Sequence, residues 1–338
     1  MNILAIESSC DETAVAIVQD GRYVLTDCIA SQVELHRTYG GVVPEIASRK
    51  HIEAIYGLAD RALEQTRLTR NDIDAIGVTY APGLIGAVLV GVNFAKAAAL
   101  ALNKPLIPVH HIRGHIAANY IAYPDLEPPF VCLVVSGGHT LIVRVDDYTE
   151  MEILGTTLDD AAGECFDKVG RVLGMPYPGG AALDKAASVG DETKYELPLP
   201  KPGANPYDMS FSGLKTATLN LIHHAEQVGE ELDINSLCAS FCATVSNALV
   251  PRVMLAMEQT GLKKLAIAGG VAANSRIRKD MLTAAEQAGV KVYMPPLSLC
   301  GDNGAMIGAQ AYYELLAGNV ADMSLNAYAT KSILGELL

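Results

Sequence analysis

Three histidines that follow a short apolar segment are the residues best suited to chemistry in this sequence. His110, His111 and His115 stand in PLIPVHHIRGHIAANY. Residues i and i+4 share one face of an α-helix, so His111 and His115 can present two imidazole nitrogens to one metal ion. Zinc proteases of the HExxH type use this spacing, but Ile112 follows the first histidine here where they have glutamate. The spacing indicates either a metal site or two structural histidines, and it lacks the general base of a protease.

Acidic residues that could complete a metal site occur at separate places in the chain. Asp302, in PPLSLCGDNGAMIG, lies at a loop-to-helix junction, where an aspartate either caps the helix or serves as an oxygen ligand. Two histidines and one carboxylate with open positions are typical of catalytic or substrate-binding Fe(II) or Zn(II) sites. Further acids lie on the first hairpin and on a later helix: Glu7, Asp11, Glu12, Asp159, Asp160, Glu164 and Asp167.

Three glycine pairs indicate places where the backbone could approach a ligand. Ser136-Gly137-Gly138-His139 follows a strand, where glycines let N–H groups point at an anion. Gly269-Gly270 follows another strand, with Asn274 as the expected cap of the next helix. Gly179-Gly180 opens a further helix, with Asp184 one turn later. Singly, each pair is more typical of a tight turn; together they favour a nucleotide site, although neither a Rossmann motif nor a P-loop is present.

The order of predicted elements describes what positions these residues. The first third predicts three strands, a helix over about 43–65, then alternating strands and helices, which makes a mixed sheet covered by helices. The pattern starts again at VCLVVSGGHTLIVRV (131–145), with further helices at 158–174, 212–225 and 234–259. We therefore predict two related lobes, 1–130 and 131–338, with a loop or insertion at 189–209. The last helix could pack back on the first lobe.

Composition places the chain among large-core globular proteins. Its 338 residues are 50% hydrophobic and carry a net charge of −13, which does not favour a large nucleic-acid surface. Seven scattered cysteines without a CxxC motif predict a reducing cytoplasm. Residues 81–102 are long and apolar enough to suggest a membrane-spanning helix. Asn93 and Lys96 within them favour a buried helix of a globular protein, so we expect no membrane association.

Motifs along nearly the whole chain resemble the TsaD family of tRNA N6-adenosine threonylcarbamoyltransferases, formerly called O-sialoglycoprotein endopeptidases. These motifs are IESSCDET (6–13), GGVVPEIASRKH (40–51), APGLIGAVLVG (81–91), PVHHIRGH (108–115), VSGGHT (135–140), DDAAGECFDK (159–168), YPGG (177–180), FSGLKT (211–216), AGGVAAN (268–274) and DNGAMI (302–307). The resemblance implies an α/β protein of the two-lobed actin/hexokinase/Hsp70 (ASKHA) fold, each lobe an RNase H-like mixed sheet flanked by helices.

The resemblance also implies a reaction and the residues that serve it. The threonylcarbamoyl group of threonylcarbamoyl-AMP would pass to N6 of adenosine 37 in tRNAs that decode codons beginning with A. His111, His115 and Asp302 would hold one divalent metal, with Fe(II) favoured and Zn(II) possible. The substrate-binding residues implied are Val134, Val135, Ser136, Gly137, Gly138, His139, Asp167, Gly180, Asp184 and Asn274. Asp11 and Glu12 are candidates for shaping or deprotonating the attack, although a capped hairpin turn explains them equally well.

Partners and rival functions follow from the same comparison. The resemblance implies a TsaB-like paralogue and a TsaE-like ATPase as partners, with tRNA and the adenylate as substrates. An ATP-dependent kinase or ATPase of the same fold is the main alternative, but such enzymes hold Mg²⁺ with carboxylates, whereas imidazoles suit iron or zinc. A metalloprotease is the weaker alternative, because the expected base is missing.

Overall fold

The computed structural model describes residues 1–199 and 203–334 of the chain. Contacts divide them into two compact units, each with one five-stranded sheet. Unit 1 comprises Met1–Pro128, Val145–Met151 and the described residues from Pro295 onward. Unit 2 comprises Pro129–Arg144 and the described residues of Glu152–Met294.

The strands and helices alternate much as the sequence predicts. The strands are β1 (Asn2–Glu7), β2 (Glu12–Gln19), β3 (Tyr23–Ser31), β4 (Ala75–Ala81), β5 (Leu106–His110), β6 (Phe130–Val135), β7 (Thr140–Val145), β8 (Met151–Thr156), β9 (Lys264–Ala268) and β10 (Lys291–Tyr293). The helices are α1 (Val33–Arg37), α2 (Pro44–Thr66), α3 (Ile85–Leu102), α4 (His111–Ala122), α5 (Ala162–Val172), α6 (Gly179–Ala187), α7 (Ser212–Val228), α8 (Ile234–Thr260), α9 (Ser275–Gln287) and α10 (Gly304–Leu316).

Both sheets have the same strand order. In unit 1 the order is β3-β2-β1-β4-β5, and in unit 2 it is β8-β7-β6-β9-β10. Strands β1, β2 and β3 are antiparallel neighbours, whereas β4 and β5 run parallel to β1. In unit 2, β6, β9 and β10 are likewise parallel. Two mixed sheets of one topology confirm the predicted duplicated α/β fold.

The alternation of side chains along β1 explains how the sheet of unit 1 is covered on both faces. Leu4 and Ile6 pack into a core shared with α2 and α3. Ile3 and Ala5 pack into a second core, on the opposite face, shared with α4 and α10. Successive side chains of a strand point to opposite faces, so Glu7 falls on the face of Ile3 and Ala5. The last residue of β1 therefore points toward α4 and α10.

Helix α10, the last helix, belongs to unit 1, as the sequence analysis allowed, but the boundaries of the units differ from the predicted division at 130/131. The sequence placed 131–338 in the second lobe, with only its last helix free to return; the structure places the described residues from Pro295 onward, and Val145–Met151, in unit 1. Helix α10 packs closely on α4 at Gly114. A Cβ added to Gly114 would lie 2.7 Å from Cδ1 of Ile307, so the Ile307 side chain would have to move. After α10 the chain hydrogen-bonds back to the sheet, where Ala321 N donates to Leu106 O.

Within the described part of the chain, two helices are long and apolar enough, by length and composition, to cross a membrane: α3 and α8. In α8, 78% of the apolar window is buried inside the protein, and Arg252 donates from it to Asp208 O. In α3 only 33% is buried. Helix α3 is therefore less buried than predicted: one face, including Val88 and Val92, packs into the core, while Leu100 is 70% exposed.

Two short elements and one loop differ from the sequence-based description. Helix α1 and strand β8 are additional to the predicted elements. Of the predicted loop 189–209, residues 200–202 lie outside the described part, and the remaining described residues contain neither helix nor strand. The loop is tied to α8, because Asp191 N and Tyr195 N donate to Ser236 and Ser240.

Candidate functional site

The histidine pair stands at the carboxyl end of the unit 1 sheet. Helix α4 begins at His111, directly after β5, so its first turn is held at the sheet edge. The His111 and His115 rings lie 4.6 Å apart at an angle of 80°. His110 is not part of this pair: its Nδ1 accepts from Ile112 N, and its Nε2 donates to Lys331 O. It caps α4 and contacts the C-terminal segment.

The carboxylate of Asp302 faces the histidine pair, and two other residues cap the start of α10. The side chain of Asn303 accepts from Met306 N at 2.8 Å, and Asp27 accepts from Gly304 N at 3.1 Å. The helix therefore does not need the carboxylate of Asp302 as a cap. Asp302 Oδ1 lies 3.3 Å from Nε2 of His115 and 3.6 Å from Nε2 of His111.

The three donor groups fit one divalent metal ion. One ligand atom from each of His111, His115 and Asp302 lies within 4.8 Å of the others. Atoms that share one zinc ion are roughly 3 Å apart, given bonds of about 2.0–2.2 Å. His115 is 1% exposed and His111 8%, whereas the Asp302 side chain keeps 19% of its surface. The donor set is thus enclosed on the histidine side and accessible beside the carboxylate.

The charges of this cluster also favour a cation. Burial raises the pKa of Asp302, but His111 and His115 more than reverse this and lower it to about 2. Burial lowers the pKa of His111, whereas Asp302 and Glu7 raise it to about 9. At neutral pH His111 therefore carries a proton between two carboxylates, and a bound divalent ion would displace that proton.

Glu7 contacts His111 and is the residue of this site to which the sequence assigned no role. Its carboxylate is fully buried, and Oε2 lies 3.0 Å from Nδ1 of His111. Oε2 also accepts from Thr79 on β4, and Oε1 accepts from Ser9 N. The signal was visible in the sequence, because an acid that ends an otherwise apolar buried strand requires a partner.

Asp11 and Glu12, the candidate catalytic residues, stand on the turn and second strand of the first hairpin. Glu12 accepts from Ser31 at 2.9 Å. Burial, followed by the charges of Asp11 and Asp302, raises the pKa of Glu12 to about 9. The hairpin thus brings Glu12 within electrostatic range of both Asp11 and Asp302.

His51 on α2 holds this hairpin in place and was also overlooked by the sequence analysis. Its Nδ1 lies 2.7 Å from the hydroxyl of Thr13, and its Nε2 lies 2.9 Å from Cys10 O. The imidazole is fully buried, and burial lowers its pKa. A neutral ring that donates to the carbonyl and accepts from the hydroxyl satisfies both contacts.

The glycine pairs predicted to approach a ligand lie at the corresponding edge of unit 2. Parallel β6 and β9 end side by side, so the Ser136–His139 turn lies next to Gly269. A Cβ on Gly269 would stand 2.5 Å from Val135 O, and one on Gly163 would stand 2.4 Å from Ser136 O. Gly269 has φ = 93°, which glycine adopts without strain. Close backbone packing therefore requires glycine at both positions.

Two aspartates connect this edge to the surrounding helices. Asp167 on α5 accepts from Gly179 N at 2.8 Å, at the start of α6 beside Gly180. Asp184, further along α6, accepts from the backbone N and the hydroxyl of Ser275, at 3.1 and 2.8 Å. The sequence did not single out Ser275, although it directly follows a predicted site residue.

The remaining predicted substrate residues have different surroundings. Asn274 caps α9 as predicted and accepts from Ile277 N at 3.0 Å. Val134 and Val135 are strand residues with fully buried side chains. His139 N donates to Ser136 Oγ at 3.2 Å, which closes the turn around Gly137 and Gly138.

The fold and the donor set together define a class: two-sheet α/β proteins of the ASKHA type with a histidine–carboxylate cluster at one sheet edge. The family model described as "TsaD: tRNA N6-adenosine threonylcarbamoyltransferase" matches residues 23–309. A protein of that name from Clostridium perfringens is 54% identical over 325 residues, which cover 96% of each chain. Another, from Moorella thermoacetica, is 54% identical over 326 residues, covering 96% of this chain and 95% of the relative.

Solved structures show the fold at low sequence identity. HypF from T. kodakarensis superposes with a TM-score of 0.64 at 16% identity, covering 96% of this chain and 49% of that one. Component A of (R)-2-hydroxyglutaryl-CoA dehydratase from Acidaminococcus fermentans gives 0.54 at 16% identity, covering 94% and 99%.

The chain belongs to the TsaD family of tRNA N6-adenosine threonylcarbamoyltransferases. It is therefore a transferase that acts on tRNA, as the sequence motifs predicted.

Proposed function

We propose that this protein transfers the threonylcarbamoyl group from threonylcarbamoyl-AMP to N6 of adenosine 37 in tRNAs that decode codons beginning with A. The observation that carries the proposal is the His111, His115 and Asp302 donor set in a chain of this family. The amine nitrogen forms a bond to the carbamoyl carbon, the bond from that carbon to the phosphate oxygen breaks, and AMP leaves. The amine loses one proton.

The unit 1 cluster would hold the ion, which when bound supplies positive charge for oxygen atoms of the adenylate. His111 and His115 fix its position from the enclosed side, and Asp302 holds it from the exposed side. Imidazoles with one carboxylate suit Fe(II), which we favour, or Zn(II). Metal analysis of protein purified without added metal tests this choice.

Residues of unit 2 are proposed to bind the adenylate. The backbone of Ser136, Gly137 and Gly138 can donate N–H groups to an anion, since glycine leaves the turn unobstructed. Asp167, Gly180, Asp184 and Asn274 lie around the starts of α6 and α9. We assign these four residues to the adenosine part.

Asp11 and Glu12 are proposed to shape the attack and accept the proton that the amine releases. The pKa of Glu12 is raised to about 9, so this carboxyl group is mostly protonated at neutral pH and can shape the attack as a hydrogen-bond donor; only its small ionised fraction, a stronger base than an ordinary glutamate, would accept the proton. Its neighbour Asp11 supplies part of the charge that raises this pKa.

We further propose that the protein binds tRNA together with partners, a TsaB-like paralogue and a TsaE-like ATPase, in the cytoplasm. The net charge is −13, and local cations are already paired. Arg276 pairs with Glu192 and Asp280, and on α2 Arg49 and Lys50 pair with glutamates of their own helix. We expect tRNA binding by the isolated chain to be weak and steeply salt-dependent. Tight binding that is insensitive to salt would contradict the need for partners.

Nucleoside mass analysis of tRNA from cells depleted of this protein tests the reaction. Threonylcarbamoyladenosine should disappear, return with the wild-type chain, and stay absent with the His111→Ala variant. Persistence of the modified nucleoside after depletion would refute the proposal. ATP hydrolysis by the purified chain, combined with unchanged tRNA, would instead favour the kinase or ATPase alternative.

A further inference from the structure

Glu7 occupies a position from which it can control one metal ligand without reaching the ion itself. It shares the face of β1 with Ile3 and Ala5, toward α4. Parallel β1, β4 and β5 end at one edge, with Ile6 beside Val78 and Thr79 beside Val109. This register places the carboxylate of Glu7 at His111, 3.0 Å from Nδ1. That nitrogen is the one on the far side of the ring from Asp302, which faces Nε2.

Hydrogen-bond accounting determines which nitrogen of His111 carries a hydrogen. An ionised carboxylate only accepts hydrogen bonds. Oε1 of Glu7 accepts from Ser9 N, and Oε2 accepts from the Thr79 hydroxyl. The third contact of this carboxylate joins Oε2 to Nδ1 of His111, so it requires an N–H at Nδ1. Nε2, which faces Asp302, is then the nitrogen that would bind an ion.

The second histidine of the pair shows what this contact supplies. Nδ1 of His115 is buried and has no hydrogen-bond partner among the described residues. Within the described part of the chain, His115 therefore has no outer hydrogen bond at Nδ1, whereas Nδ1 of His111 faces the buried carboxylate of Glu7. Because an outer hydrogen bond fixes both the tautomer and the direction of a metal-binding imidazole, the two ligands differ in preorganisation.

We propose that Glu7 is a positioning residue that holds His111 in the Nδ1–H tautomer and so presents Nε2 to the metal ion. The inference rests on the metal site of the proposed function, which it deepens. The cluster then comprises four side chains in place of three: two imidazoles, the carboxylate that would bind the ion, and a second carboxylate behind one ring.

The test compares zinc affinity of the metal-free full-length chain with that of two glutamate variants. Glu7→Gln keeps the side-chain shape but removes the charge and places an amide N–H₂ among three donors. We expect its zinc dissociation constant to rise by about 10–100-fold, measured by competition with a chelator. Glu314→Gln is the matched control. Glu314 is a buried acid on α10, 4% exposed, that accepts from Arg113 of α4, the helix that carries both histidines, but it contacts neither histidine.

The results separate this inference from the proposal on which it rests. If Glu7→Gln binds zinc as the wild type does, or if Glu314→Gln weakens binding equally, the role of Glu7 is refuted while the metal site stands. If the wild-type chain does not bind zinc, the metal assignment fails and the inference fails with it. If Glu7→Gln loses zinc affinity but the zinc-loaded wild-type chain leaves substrate tRNA unmodified in the transfer assay, the inference is supported and the reaction is refuted.

A second measurement decides the question if Glu7→Gln does not fold. Nitrogen-15 NMR of the zinc-loaded wild-type imidazoles distinguishes a nitrogen bound to hydrogen from one bound to metal. A hydrogen on Nδ1 of His111 supports the proposal, and zinc bound at Nδ1 overturns it.

Discussion

The carboxyl-end edges of the two sheets have the same strand topology but opposite construction. In unit 1 the edge presents ionisable side chains, with Glu7 after β1 and His111 after β5. In unit 2 the edge presents backbone, because Ser136 and Gly137 follow β6 and Gly269 follows β9. Ligands of open α/β sheets bind outside the carboxyl ends of strands, so one topology can serve two kinds of chemistry.

This difference implies different sensitivities. A site made of side chains is lost when one functional group is changed, even if the shape is kept. A site made of closely packed backbone tolerates few added atoms, whatever their chemistry. Each of the following predictions changes one of the two units and measures zinc affinity, the free energy of unfolding, or both.

Removal of a metal ligand should have the largest effect. We expect Asp302→Ala to weaken zinc binding by more than about 100-fold, because changes behind a ligand alone cost about 10–100-fold. Chelator competition measures the affinity. Asp184→Asn, a change of an aspartate in unit 2, should leave zinc binding unaltered. Loss of zinc affinity in that control would show that the two edges are not independent.

Addition of one methyl group should damage the backbone edge. In Gly163→Ala the new Cβ would meet Ser136 O at 2.4 Å and Gly137 Cα at 2.7 Å, so the backbone must shift. We expect a loss of about 1–3 kcal/mol in the free energy of unfolding, with unchanged zinc affinity. Gly213→Ala on α7 is the control, since nothing lies within 4 Å of its added Cβ. Denaturant unfolding of both variants checks this, and equal stabilities would contradict the packing argument.

The side-chain edge should also respond to pH through Asp27, which caps α10. Burial raises the pKa of Asp27 from 3.8 to about 6, against the hydrogen bonds from Gly304 and Ala305. A carboxyl group with a raised pKa contributes stability below about pH 4 and loses it as the pH rises through about 6. From pH 4 to 7 the wild type should therefore lose about 1–2 kcal/mol more than Asp27→Asn. Parallel pH curves for the two proteins would exclude this role.

The smallest effect is expected at the link between α6 and α9. Asp184→Ala removes the acceptor of the backbone N and hydroxyl of Ser275. This pair is partly exposed to solvent, so we expect a loss of about 1 kcal/mol in the free energy of unfolding. Ser275→Ala keeps the backbone donor and should cost less. A larger loss in Ser275→Ala than in Asp184→Ala would contradict this order.

The fold was largely predictable because its elements have strong local patterns. The apolar strand 3–6 and the 43–65 helix, with Pro44 at its first turn, illustrate this. Strand β8 was overlooked because only Gly155 of its six residues is buried, so it lacks the alternation of a half-buried strand. The return of the last helix, α10, to unit 1 was allowed by the sequence analysis, but the inclusion of Val145–Met151 in unit 1 was not predicted, since no local pattern records it.

The candidate site was predictable only where spacing or motifs indicated it. Helical periodicity brought His111 and His115 together, and the family motifs added Asp302. The contact between Glu7 and His111 depends on β4 lying between β1 and β5, a strand order that local sequence does not contain. The assignment of Asp302 depends on Asn303 and Asp27 acting as caps, which required the tertiary contacts of α10.

The return of α10 has a consequence for the order in which a growing chain can acquire its ion. Glu7, His111 and His115 leave the ribosome well before Asp302, which follows all of unit 2 in the sequence. A nascent chain therefore offers an ion two imidazoles, but not the carboxylate, until synthesis is nearly complete. At the proposed site, metal binding would therefore follow synthesis of nearly the whole chain. The metal content of the released chain should depend on how much metal is available after translation. Pulse-labelled chains released into metal-depleted extract should accept zinc when it is added later.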